Sequence, residues 1–174
     1  MHLPMTTPLL LLEEPGDDDL AGLLAVALSN PVFLATHEGS AGEPGRYDEG
    51  MLARDLAVAQ SDPLRHPLVI RRRADGAVVG WAETLDRHPR DDVPWIGLLE
   101  LHADEQGKGL GREAATALAD WYRSQGGTRL RIGVDDGNDG AAAFWRALGY
   151  QSVDRRQRDS PGGRLGVDVL EIAL

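Results

Sequence analysis

Cysteine is absent from the 174 residues, which removes disulfides, thiolate metal ligands and a cysteine nucleophile together. Long apolar runs are missing too. Nothing approaches the roughly 18 residues needed to span a bilayer, and residues 9–12, four leucines, lack the basic flank and small-residue cleavage site of a secretory signal. The expectation is a cytoplasmic protein with no membrane partner. Basic charge is short: 18 Lys and Arg face 28 Asp and Glu, a formal net charge of −10. Nucleic acid is therefore an unexpected partner, because its phosphates must be neutralised by cations, whereas a cationic substrate suits the balance. What is present, 42% hydrophobic and 26% charged residues, is the composition of a globular chain, and the length predicts one domain over residues 1–174.

Residues 9–12 are too few for a helix and read as a short first strand closed by Pro15-Gly16. Asp17-Asp18-Asp19 then caps an amphipathic helix carrying Leu20, Leu23, Leu24, Ala27 and Leu28, which Asn30-Pro31 stops. Residues 32–45 are mixed and glycine-rich, the pattern of a loop, and a second helix is predicted from Asp48 to about Gln60. Two β-rich runs around Asp75-Gly76 form a hairpin signature, and alternation scatters Arg71, Arg72 and Arg73 over both faces as solvated charge. Residues 95–102 read as a central strand with Glu100 and His102 on one face, Leu99 and Leu101 on the other. A glycine loop follows, then a helix carrying Ala114, Ala115, Leu118, Ala119 and Tyr122, a strand at 128–134, and a short helix at 139–148. Residues 150–153 and 165–174 read as two last strands, joined by a polar connection at 154–163.

The glycine loop, Gln106-Gly107-Lys108-Gly109-Leu110-Gly111-Arg112, lies between a strand and a helix. Glycine lets successive backbone N–H groups converge on one ligand, and the following helix adds its unpaired first-turn donors, so the arrangement is an anion site, most often for phosphate. A P-loop is excluded because no hydroxyl residue follows Lys108. A dinucleotide fingerprint matches Gly109-Leu110-Gly111-Arg112-Glu113-Ala114, with Asp135 near the end of the next strand, and leaves an oxidoreductase as an alternative. Against it, the polar residues 104–108 separate the strand from the first fingerprint glycine.

Residues 106–111 also fit Gln/Arg-x-x-Gly-x-Gly/Ala, and residues 138–150, Asn-Asp-Gly-Ala-Ala-Ala-Phe-Trp-Arg-Ala-Leu-Gly-Tyr, fit Asn-x-x-Ala-x-x-Phe-Tyr-x-x-Leu-Gly-Phe/Tyr. On these two blocks, in order and with a strand between them, the chain resembles the GNAT superfamily of acyl-CoA-dependent N-acyltransferases. The resemblance implies an α/β fold, an α+β mixed sheet whose fourth and fifth strands splay to admit pantetheine. It implies backbone pairing of pantetheine with Leu101 and Ala103 around His102, and a pyrophosphate held by Gln106, Gly107, Lys108, Gly109, Leu110, Gly111 and Arg112. Asn138, Ala141 and Phe144 would line the far side. The implied reaction is direct transfer from acetyl-CoA (coenzyme A as co-substrate, no metal) to a small-molecule or peptide amine, and a homodimer is common among such proteins.

The catalytic side chains follow the family pattern less closely. Trp145 stands where many members have an acidic tyrosine, and indole is no acid at neutral pH; Tyr150 is the nearest phenol in sequence, at a position the family usually gives to a packing aromatic. Some relatives carry a base on the fifth strand, but the matching residues here are Ile132-Gly133-Val134. Glu100 is the first choice of base, with His102 and Glu83 behind it. Without either family residue, an acyl-CoA-binding sensor is the non-enzymatic alternative. Glu38, Glu43 and Asp48, in and beside the 32–45 segment that would border the acceptor, point to a cationic amine.

Overall fold

The computed structural model describes residues 4–43 and 45–174. Its strands form one eight-stranded sheet in the order β1-β2-β3-β4-β5-β6-β8-β7. Strands β1 (Met5–Thr6) and β2 (Leu10–Glu13) precede α1 (Leu20–Ser29), α2 (Pro31–Glu38) and α3 (Glu49–Ser61). Then come β3 (Arg65–Arg72), β4 (Val78–Leu85), β5 (Trp95–Leu101), α4 (Leu110–Ser124), β6 (Arg129–Asp135), α5 (Asp139–Ala147), β7 (Gln151–Ser160) and β8 (Gly163–Ala173). Every pairing is antiparallel except β5 with β6. A dinucleotide-binding sheet is mostly parallel, so the oxidoreductase alternative loses its scaffold. Because β1 comes first, the splayed fourth and fifth strands of the expected fold are β5 and β6 here.

Strand alternation builds two apolar layers. On β3, Leu68 and Ile70 point into a cluster with Leu110, Ala114, Leu118 and Tyr122 of α4, Trp145 of α5 and Tyr150. Val69, between them, points to the other face, with Leu23 and Ala27 of α1, Leu52 and Leu56 of α3, and Tyr47. Each fully buried leucine contributes roughly 2 kcal/mol by leaving water, and both faces of the central strands are covered.

Two stretches differ from the sequence reading. Of the expected loop at 32–45, residues 32–42 are turns of helix, because Pro31 occupies the first turn of α2, where its missing N–H costs nothing; it both stops α1 and starts the next helix, and a short 3-10 turn (Gly39–Gly42) follows. The polar residues 154–163 are mostly strand. They extend β7 and β8 into a long hairpin at the sheet edge, where polar side chains face solvent. The hairpin at Asp75-Gly76 forms as expected, Gly76 at φ +73°, but its arginines are engaged: Arg71 with Glu13 and Asp19, Arg72 with Asp75 and Glu105, Arg73 with the carbonyls of Thr7 and Pro8.

Candidate active site

The parallel pair β5–β6 holds for only two registers, Trp95 with Arg131 and Ile96 with Ile132. Immediately afterwards the β4–β5 register shifts: Thr84 opposes Ile96 and Glu83 opposes Leu98, leaving Gly97 as an extra, unpaired residue. Such a bulge bends its strand and increases its twist. Here a Cβ on Gly97 would come within 2.9 Å of Leu85 Cδ1, so glycine suits the position. Beyond the bulge β5 and β6 no longer pair, which leaves an opening between the two strand ends, and the alternation of side chains is reset. Ile96, Leu99 and Leu101 all reach the α4-side cluster, although Ile96 and Leu99 are three residues apart. Glu100 is thereby delivered to the opposite face, toward α1 and α3.

The glycine loop follows the end of β5 and leads into α4. Gly107 and Gly109 have φ of +73° and +87°, a left-handed conformation that side chains rarely adopt, and space beside both is open. Gly109 begins α4, which has no side-chain cap, so its first-turn N–H groups and positive dipole end remain for an anion. Lys108 lies 3.2 Å from Glu105, itself paired with Arg72 at 3.0 Å. Leu101, Gly111 and Phe144 meet: a Cβ on Gly111 would lie 3.5 Å from both Leu101 Cδ1 and the Phe144 ring. Ala141 and Phe144 are half-buried against the same cluster, while the Asn138 Oδ1 accepts from Ala141 N at 3.1 Å and so caps α5.

The sharp elbow between α1 and α2 is fastened to the end of β5. Asn30 Nδ2 donates to Leu101 O at 2.9 Å, Gln106 Nε2 donates to Asn30 Oδ1 at 2.8 Å, and Ala103 N donates to Ser29 Oγ at 3.0 Å. The backbone groups expected to face pantetheine thus already have partners of pantetheine-like polarity. No sequence pattern pointed to Ser29 or Asn30, since their partners lie about 70 residues away.

Glu100 is the chemically distinctive group. It is 8% exposed; its Oε2 accepts from Trp81 Nε1 at 2.7 Å, and its Oε1 is buried without a hydrogen-bond partner. Burial pushes its carboxyl up to about 7, against the pull of the Trp81 and Asn30 side chains toward the ionised form. A carboxyl titrating near neutrality beside this opening is suited to accept a proton.

The other predicted residues are placed differently. His102 lies beyond the strand, where its Nδ1 accepts from Asp104 N at 3.2 Å, so it caps a turn and does not share the Glu100 strand face. Glu83 is clamped by Arg65 through contacts of 2.7 Å to both oxygens and is not a free base. Tyr150 is 3% exposed, its ring edge-on to Trp145, its hydroxyl without a partner; burial pushes that phenol up, as for a core aromatic. The sixth strand does end in an acid, Asp135, one residue past the predicted stretch, but Arg158 holds it, with His37 of α2 alongside. Of the acids thought to border the acceptor, Glu43 pairs with Arg46 at 3.2 Å and Asp48 caps α3. Glu38 remains, pushed up by burial and by Asp55. Among the described residues no group of three His, Cys, Asp or Glu could hold a metal ion, and no single helix is long and apolar enough to cross a membrane.

Comparison with known proteins gives a consistent picture. The family model for Acetyltransferase (GNAT) family matches residues 33–150. An acetyltransferase from Thermus thermophilus is 25% identical, with a TM-score of 0.71 over 99% of this chain and 100% of its own. RimJ of Mycobacterium smegmatis, solved with CoA-disulfide, is 17% identical with a TM-score of 0.77, covering 94% of this chain and 81% of that one. The microcin C7 self-immunity acetyltransferase MccE, solved with acetyl-CoA and AMP, is 16% identical with a TM-score of 0.78, covering 97% and 94%. No curated protein matches the chain.

Proposed function

Since the chain belongs to the acetyltransferase (GNAT) family, we propose that it moves the acetyl group of acetyl-CoA to a primary amine by direct attack, with Glu100 as the general base. The observation that carries this reading is the buried Glu100 carboxyl, raised to about 7 and presented beside the opening between β5 and β6. The remaining residues fit a coenzyme A donor: left-handed Gly107 and Gly109 with open space beside them, an α4 without a side-chain cap, and strands β5 and β6 that stop pairing after Ile96. Backbone N–H groups of residues 107–112 would hold the pyrophosphate, and the pantetheine arm would align along β5 by displacing the Asn30 and Ser29 side chains from Leu101 O and Ala103 N. Bound there, acetyl-CoA supplies an electrophilic thioester. Glu100, ionised above about pH 7, takes a proton from the amine as the new C–N bond forms and the C–S bond breaks. A backbone N–H at the β5 edge would face the developing oxyanion. Among the described residues no side chain stands out as acid for the departing thiolate, and solvent serves.

With Glu100 as base, the two sides of the sheet take different roles on this reading. Donor phosphates enter from the α4 side, and the amine arrives from the α1 and α3 side. Isothermal calorimetry with acetyl-CoA, followed by detection of free thiol with an amine panel, tests the proposal. Saturable binding and amine-dependent thiol release are expected. Absence of binding at millimolar concentration would refute it, and binding without turnover on any amine would favour the sensor reading.

A further inference from the structure

The edge of β5 that faces β6 loses its partner strand after Ile96, yet its last groups are not bare. His102 N donates to Val79 O, next to β4, at 2.9 Å. In extended chain the flanking Leu101 O and Ala103 N therefore point the other way, to the side of β6. Open edges of this kind are commonly covered by another segment, and here the cover is the elbow between α1 and α2. Asn30 Nδ2 donates to Leu101 O at 2.9 Å, and Ser29 Oγ accepts from Ala103 N at 3.0 Å. Both side chains are braced from behind: Ser29 Oγ donates to Val26 O at 2.7 Å, and Asn30 Nδ2 reaches the same carbonyl at 3.1 Å. Asn30 Oδ1 also accepts from Gln106 Nε2, at the start of the glycine loop, at 2.8 Å. One donor and one acceptor thus occupy β5 as an added strand would.

The occupancy is complete. Leu101 O has two lone pairs, and Asn30 Nδ2 and Gln106 Nε2, the latter at 3.2 Å, take both. Ala103 N has a single proton, which goes to Ser29. A donor molecule that pairs with this edge must therefore exchange with the elbow. Resting on the acetyl-transfer reading, we propose that the elbow is an autoinhibitory strap: Ser29 and Asn30 hold the pantetheine edge of β5 in the free protein and weaken the binding of acetyl-CoA until they let go. Only molecules with the strap released accept the donor, so the apparent affinity is lowered by the fraction released.

Calorimetric titration of wild type, Ser29→Ala and Asn30→Ala with acetyl-CoA and, separately, with ADP, which carries a pyrophosphate but no pantetheine arm, tests the strap. Ser29→Ala removes the competitor for Ala103 N and is expected to bind acetyl-CoA about three- to tenfold more tightly than wild type, the factor that one neutral hydrogen bond supplies. Its affinity for ADP is expected to stay within about twofold, since no strap bond lies on the pyrophosphate side. Asn30→Ala frees Leu101 O but also takes away the Gln106 partner, so its readout is the ratio of acetyl-CoA to ADP affinity, which rises. A residue that merely supports the fold gives the opposite sign, because its loss weakens the binding of both ligands. Unchanged or weaker acetyl-CoA binding in Ser29→Ala, or a gain shared equally by ADP, overturns the strap while leaving acetyl transfer standing. Absence of saturable acetyl-CoA binding in the wild type refutes the acetyl-transfer reading and the strap with it.

Discussion

Replacing Glu100 by glutamine keeps the side-chain shape and the oxygen that accepts from Trp81 but removes the titration. The two consequences have opposite signs. The folded protein holds the Glu100 proton until about pH 7, whereas the ordinary carboxyl releases it near 4.5. Between these values the unfolded chain binds fewer protons than the folded one, so stability falls as pH rises, and the loss is complete above about pH 7. About 2.5 pH units at roughly 1.4 kcal/mol each give a loss of about 3.5 kcal/mol. Glu100→Gln does not suffer it. At pH 8 the variant is expected to melt several degrees above wild type, with the difference vanishing near pH 4.5, as read by thermal unfolding at both pH values. Turnover moves the other way: loss of a general base costs about 10² to 10⁴ in kcat, and the acidic limb of the wild-type rate profile, centred near pH 7, disappears. A variant that keeps the wild-type rate, or is destabilised equally at both pH values, would refute the assignment.

Three further substitutions probe neighbouring claims. Trp81→Phe removes the donor that favours the ionised carboxylate, so the acidic limb of the rate profile should move upward by roughly one pH unit; an unmoved limb would mean the bond does not bear on Glu100. Tyr150→Phe deletes a buried hydroxyl that has no partner and should leave turnover unchanged, with stability equal or up to about 1 kcal/mol higher. A hundredfold kinetic loss would instead restore Tyr150 as the acid. Gly109→Ala forces a side chain into φ +87°, costing about 1–2 kcal/mol, and should weaken acetyl-CoA binding measured by calorimetry; unchanged affinity would count against the loop as the phosphate site.

Much of the fold was legible where local rules act alone. The Asp75-Gly76 hairpin, the run of α4 and the glycine start of that helix depend on turn chemistry and helical spacing. Residues 32–45 were misread because a glycine-rich composition resembles a loop, while Pro31 at a helix start fixes the backbone all the same. Polar residues 154–163 concealed strands because an edge hairpin needs no buried alternation. Period-two reasoning placed His102 beside Glu100, yet the strand ends one residue earlier; Gly97, whose bulge sets the face of Glu100, is not recognisable as a bulge until its partners on β4 are known. Glu100 could be named from its spacing. Its partner Trp81 on β4, and the Ser29 and Asn30 side chains that fasten the end of β5, lie on other elements and became visible only when the sheet and helices assembled.

Thiol release from acetyl-CoA across pH 5.5 to 9, with and without an amine, for wild type and Glu100→Gln side by side, tests acetyl transfer through Glu100 most directly. The expected result is amine-dependent release that rises through about pH 7 in the wild type and is reduced by at least about 10² in the variant. Release that is equal in the two proteins, or absent with every amine although acetyl-CoA binds, would contradict it.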